Sequence, residues 1–133
     1  MLKNLKKADF DPSLLHVAIN DIELKDDYKL KPLIETNKCR HWQLRSLSLT
    51  SCQLRDKQFC YLIREMHNRG KKLEALDMSH NELTVVSMQA LEEVIRDPQD
   101  WPHLNSLNFS RNRLKDDGVK ELANVVFKRA QNS

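Results

Sequence analysis

Asp77, Ser79 and His80 stand close together, and an aspartate, a hydroxyl and an imidazole are the parts of a nucleophilic triad. In an extended segment Asp77 and Ser79 share one face, while His80 points the other way or into the following turn. No nucleophile elbow and no oxyanion glycine accompany them. A second set, Cys39, His41, Cys52, Cys60 and His67, has the residue types that hold zinc. It contains no Cys-x-x-Cys pair, and Cys52 falls at a core-facing position, so structural cysteines are expected. The sequence offers no phosphate loop, no dinucleotide fingerprint and no His-x-x-x-His pair. It therefore predicts no catalysis, no metal and no cofactor.

The elements that carry these residues repeat along the chain. LLHVAINDIEL from Leu14, LRSLSLTSCQL from Leu44, LEALDMSHNEL from Leu73 and LNSLNFSRNRL from Leu104 align without gaps. Each follows L-x-x-L-x-L-x-x-N/C-x-L, the leucine-rich-repeat pattern. Every residue at the first, fourth, sixth and eleventh sites is apolar. Asn81 and Asn112 fill the ninth site and Cys52 fills it in the second repeat. An inward asparagine there can satisfy buried backbone groups with both its carbonyl and its amide, and stacked asparagines form a ladder. Ile22 in the first repeat cannot bond, as befits an atypical terminal repeat.

Beyond each eleventh-site leucine, apolar residues recur at helical spacing. They are Phe59, Leu62 and Met66; Met88, Leu91 and Ile95; Val119, Leu122 and Val126. Asp56, Ser87 and Asp116 lie near the expected helix starts as candidate caps. Pro32 displaces or starts the first helix. Gly70 and the run from Asp97 to Pro102 end the next two. Trp42 and Trp101, just ahead of repeat starts, are expected to seal the gap under the incoming strand. Asp116-x-Gly118 followed by Val119-Lys120-Glu121-Leu122-Ala123 resembles the ribonuclease-inhibitor subclass of leucine-rich repeats, over residues 14 to about 127. Cys52 is similar to the cysteine of repeats in F-box substrate receptors. Related repeats serve in immune receptors, Ran GTPase-activating proteins, tropomodulin-like actin regulators and replication scaffolds. The resemblance implies an α/β fold: a right-handed solenoid of about four repeats, with a parallel concave sheet and convex helices. Residues 1–13 form a cap or tail and residues 14–133 the repeat domain.

Parallel strands lie ~4.8 Å apart and helices about 10 Å, so such a stack curves with its strands inside. Sites three, five and seven then face the concavity. They are His16, Ala18 and Asn20; Ser46, Ser48 and Thr50; Ala75, Asp77 and Ser79; Ser106, Asn108 and Ser110. Asp21, Ser51, His80 and Arg111 flank them at site eight. All are small or polar, with no aromatic anchor, so the partner must bring its own. Four strands give a face of a few hundred Å², below the ~800 Å² per partner of a standard interface. Helices, loops or further chain must therefore contribute to tight binding.

Charge is banded. Residues 44–72 hold seven Lys/Arg against two Asp/Glu, residues 73–103 one against seven, and residues 104–133 six against three. Alternating bands suit complementarity between repeats and break any continuous phosphate track. Arg64, Arg69, Lys71 and Lys72 cluster at one helix end, where the macrodipole favours cations. Nucleic acid is the alternative partner they suggest. With 133 residues, 40% hydrophobic and 31% charged, the chain is one globular domain. Its three cysteines form no disulfide framework. No run reaches the ~18 apolar residues of a membrane span, and MLKNLKKADF has no signal-peptide core. The expectation is an intracellular protein, cytoplasmic or nuclear, that binds a protein partner through its concave face. Val125, Val126 and Phe127 exceed what one buried helix face needs. At least one should be exposed, pointing to self-association through this end or to a longer parent protein.

Overall fold

Alternating apolar residues in each repeat make a short strand with one buried face, and the helical spacing that follows carries the chain back for the next strand. The computed structural model describes residues 16–24, 44–68, 70, 72–97 and 99–132. The elements run β1 (His16–Asn20), β2 (Ser46–Thr50), α1 (Asp56–Asn68), β3 (Ala75–Asp77), α2 (Val85–Ile95), β4 (Ser106–Asn108) and α3 (Lys115–Asn132). The strands form one parallel four-stranded sheet in the order β1-β2-β3-β4. This is the expected α/β solenoid of strand–helix repeats. The expectations placed on residues 1–13, Pro32, Cys39, His41, Trp42, Arg69, Lys71 and Pro98 lie outside the described residues.

The core sits between sheet and helices. Val17, Ile19, Leu47, Leu49, Leu76, Met78 and Phe109 enter it from the strand segments, and Leu24, Leu54, Leu83 and Leu114 from the eleventh sites. The predicted faces of α1 (Phe59, Leu62, Met66) and α2 (Met88, Leu91, Ile95) are buried. Phe59 meets Phe109 edge to face, ring centroids 5.7 Å apart. Trp101 is fully buried just before the last repeat, as a seal would be.

In α3 the expected face is corrected. Val119 and Val126 are exposed, Leu122 is half-buried, and Val125 is the valine in the core. The reason is positional. The equivalent residues of α1 and α2 are covered by the helix of the following repeat, and α3 is the last helix. Gly118 is buried close against Leu114: a Cβ there would come 2.7 Å from the Leu114 Cβ.

The ninth-site ladder is present. The Asn81 amide donates to the carbonyls of Leu49 (2.7 Å), Met78 (2.9 Å) and Ser79 (3.2 Å). Its Oδ1 accepts from the backbone N–H of Cys52 and Leu54. Asn112 repeats the pattern one step on, donating to Met78, Phe109 and Ser110 and accepting from Leu83. Cys52 imitates it weakly, its thiol donating to the carbonyls of Ile19 and Thr50.

The caps differ from expectation. The N-cap of α2 is Thr84, whose hydroxyl accepts from Val86 N–H, and Ser87 is buried inside the first turn. Asp56 reaches beyond its own helix. Its carboxylate accepts from Thr84 N–H (2.9 Å), the Thr84 hydroxyl (2.5 Å) and the Ser87 hydroxyl (2.6 Å), tying α1 to the start of α2. Asp116 is exposed and makes no such bond among the described residues. Partial burial raises the Asp56 pKa, but the bonds from Ser87 and Thr84 outweigh it and hold the carboxyl below its ordinary 3.8.

Two outcomes follow. Asn81→Ala should destabilise the chain by roughly 1–3 kcal/mol, because five backbone partners lose their mate; a chemical-denaturation midpoint equal to wild type would refute the ladder. Asp56 has a depressed folded pKa, so its contribution is present above 3.8 and is lost as pH falls through the folded value. Asp56→Asn should therefore lower stability at neutral pH and flatten the acid limb of the stability–pH curve. An unchanged acid limb would refute that linkage.

Candidate interaction surface

Strand register brings the predicted residues into rows. His16, Ser46, Ala75 and Ser106 pair across the sheet, as do Ala18, Ser48, Asp77 and Asn108, and Asn20 pairs with Thr50. Backbone alternation sends their neighbours into the core, so these side chains form the opposite face. His16, Ala18, Asn20, Ser106, Asn108 and Ser110 are exposed, while Ser46, Ser48, Thr50, Ala75 and Asp77 are half-buried between neighbouring repeats. The Thr50 hydroxyl donates to the Asn20 side-chain carbonyl, knitting two strands on this face.

Ser79 is a correction: it is 6% exposed and not a surface residue. β3 ends at Asp77, and the Asp77 carboxylate folds forward to accept from Ser79 N–H at 3.0 Å. The Ser79 carbonyl accepts from Ser51 N–H on one side and from the Asn81 amide on the other. Asn108 makes the same turn, accepting from the N–H and hydroxyl of Ser110, but Ser110 is exposed, with no further repeat beside it among the described residues. Ser79 is thus buried while His80 is exposed, and no hydrogen bond joins them among the described residues. The triad geometry is not assembled.

The flanking residues form a second row with a backbone signature. Asp21, Ser51, His80 and Arg111 all have φ between 54° and 61°. The left-handed turn lets the site-eight N–H of each of the first three repeats donate to the site-seven carbonyl of the next, at Thr50, Ser79 and Ser110. Sequence reasoning missed this. The signal available was residue type, since aspartate and histidine tolerate the left-handed region better than most.

The charge bands meet as expected. Arg45 pairs with Glu74 (3.3 Å), Arg64 with Glu93 (3.4 Å), and Glu82 lies between Arg55 (3.9 Å) and Arg113 (3.3 Å). These pairs are largely exposed and contribute little stability each, and they engage Arg45, Arg55 and Arg64 of the basic band. Burial pushes the Cys52 thiol up, more than the Ile22 N–H beside it brings it down, so it remains a protonated donor. No group of side chains with metal-ligand geometry occurs among the described residues.

A family model described as "Leucine Rich repeat" matches residues 71–91 and 102–123. The chain carries leucine-rich repeats. It is 32% identical over 73 residues to Ran GTPase-activating protein 2 of Arabidopsis thaliana, a match spanning 55% of this chain and 13% of that protein. Among solved structures, this leucine-rich-repeat chain is similar to one titled Leiomodin-1 Actin-Binding Site 2, with a TM-score of 0.65 and 16% identity over 96% of this chain and 70% of that one. It is similar also to the tropomodulin C-terminal domain of Caenorhabditis elegans, at TM-score 0.54 and 14% identity over 98% of this chain and 91% of that one. Both structural likenesses concern the fold.

A β-branched residue should be resisted at the site-eight turns. Arg111→Val should destabilise the chain by about 1–2 kcal/mol although Arg111 is exposed, whereas Arg111→Asn should not. Equal denaturation midpoints for the two variants would show that the turn is not strained.

Proposed function

We propose that this chain is a non-enzymatic interaction module that holds a protein partner against the outer face of its sheet. The observation that supports it most is the register of that face. Small and polar side chains from four strands lie in straight rows, clear of the core, on a backbone fixed from beneath by the asparagine ladder. A rigid surface without bulky groups adds little ordering entropy to binding and leaves room for a partner's own anchors.

The hydroxyls of Ser46, Ser48, Thr50 and Ser106 with the Asn20 and Asn108 amides, the Asp77 carboxylate and the His16 ring offer donors and acceptors. A partner's exposed polar backbone fits this chemistry. The relatives agree in kind, since one similar structure is titled as an actin-binding site. The pairing of Arg45, Arg55 and Arg64 with Glu74, Glu82 and Glu93 disfavours nucleic acid as the partner. No described helix is long and apolar enough to cross a membrane. Cys52 and Cys60 are free thiols, in keeping with an intracellular location.

Binding should respond to bulk on the sheet face. With actin as the first probe and cell lysate as the second, Ser48→Arg and Ser106→Arg should each lower capture at least tenfold with circular dichroism unchanged. Lys120→Glu, on the outer helix surface, should not. Loss of capture with Lys120→Glu alone would move the site to the helices, and a steep fall with salt would favour phosphate contacts instead.

A further inference from the structure

Charges that offset a helix dipole belong at its two ends, an acid in the first turn and a base in the last. α1 and α3 carry both, and α2 carries neither. Its neighbours supply them. Asp56 of α1 takes the first turn of α2 through Thr84 and Ser87. Arg129, in the last turn of α3, takes the other end. Its guanidinium donates to the carbonyls of Ile95 (2.7 Å) and Asp97 (3.4 Å), where α2 runs out of amide partners, and to the Trp101 carbonyl beyond.

The last of these bonds reaches past the helix. Residues 99–104 carry the chain towards β4, and Trp101 among them is fully buried. Its indole N–H is the one buried side-chain polar group without a hydrogen-bond partner among the described residues. A buried donor left unpaired costs free energy that contact with water would return. The other ties on this segment are local or weak. Asp97 accepts from the N–H groups of Gln99 and Asp100, and the Leu104 N–H reaches the Trp101 carbonyl at 3.2 Å. The His67 ring lies 3.5 Å from the Asp100 carboxylate, and as a half-exposed pair the two contribute little. From Asn105 onward the backbone is fixed again, because the Asn105 and Ser106 N–H groups both donate to the Glu74 carbonyl.

We infer that Arg129 is a latch on residues 99–104. While it holds its three carbonyls the segment stays shut with Trp101 inside, and on its release the segment opens by itself, with the sheet and the asparagine ladder intact. A planar guanidinium with five donors suits three carbonyls at once, which a lysine ammonium on its flexible stem does not match. The opening is local because the ladder lies elsewhere: it joins repeats where the chain leaves each strand, whereas this segment precedes β4. Water regained by the indole N–H brings the open form nearer in free energy than the burial of a tryptophan alone implies. A group that occupies the Arg129 guanidinium would therefore uncover Trp101 without unfolding the repeats. This device is separate from the sheet face proposed above, and its test does not depend on that reading.

Trp42→Phe leaves Trp101 as the only tryptophan, so emission and the indole N–H resonance then report this segment alone. In that background Arg129→Ala should raise acrylamide quenching of Trp101 severalfold and move its indole resonance towards that of free tryptophan in water. The Asp100 and Leu104 amides should exchange roughly tenfold faster, while those of Cys52 and Leu54, which bond to Asn81, exchange as before. Arg129→Lys should fall between Arg129→Ala and the parent. Should Arg129→Ala fail to fold, Arg129→Lys decides the matter by the same comparison of amides. Equal acceleration of all four amides would make Arg129 an ordinary stabilising contact and overturn the inference. Unchanged quenching and an unmoved indole resonance in the folded variant would overturn it too.

Discussion

Buried backbone has to find partners, and in this molecule that demand is concentrated at the ninth site of each repeat. Where the chain leaves a strand and turns outward, carbonyls and amides of two successive repeats face the interior with no strand to pair them. The side chain of Asn81 answers for five such groups, two of them in its own repeat's turn and three in the repeat before. The bond lies between repeats, so it fixes register and turn together. A buried polar side chain that left any of these unpaired would be worse than an apolar one. The fully satisfied asparagine makes the turn a rigid joint.

Other features depend on that joint. The site-eight residues take the left-handed region in each repeat, even in the first, where Ile22 stands at the ninth site, and the N–H groups of the first three extend the ladder beyond the strands. The helices start at a set distance from the turn, which puts Asp56 within reach of Thr84 and Ser87. The result is one-dimensional: each repeat is stabilised by the one beside it, and the ends keep unspent contacts. Flat rows of small residues on the outer sheet face follow from the same regularity, because identical turns keep equivalent residues in line.

Charge plays a secondary part. The bands in the sequence meet as exposed pairs, Arg45 with Glu74 and Arg64 with Glu93, which favour the observed neighbour order more than they add stability. Their functional consequence is subtraction, since Arg45 and Arg64 are already engaged with carboxylates. What remains on the surface is the hydroxyl and amide chemistry of the sheet and the apolar end of α3.

The sequence by itself determined the repeat, the strand faces, the core of the first two helices and the asparagine ladder. All of these follow from periods of two, of about 3.6 and of about thirty residues, and period is a local property of the chain. Only the tertiary structure decided which equivalent positions are covered. Val119 and Val126 have the same spacing as Met88 and Ile95, yet one pair is wet and the other buried, because burial depends on the neighbour and not on the residue. Ser79 and Ser110 divide for the same reason, one enclosed between repeats and one at the end. The Asp56 cap was illegible for a related cause. A side chain that serves a helix 28 residues away has a local signal pointing to its own helix, and only packing shows which amide and hydroxyls it reaches.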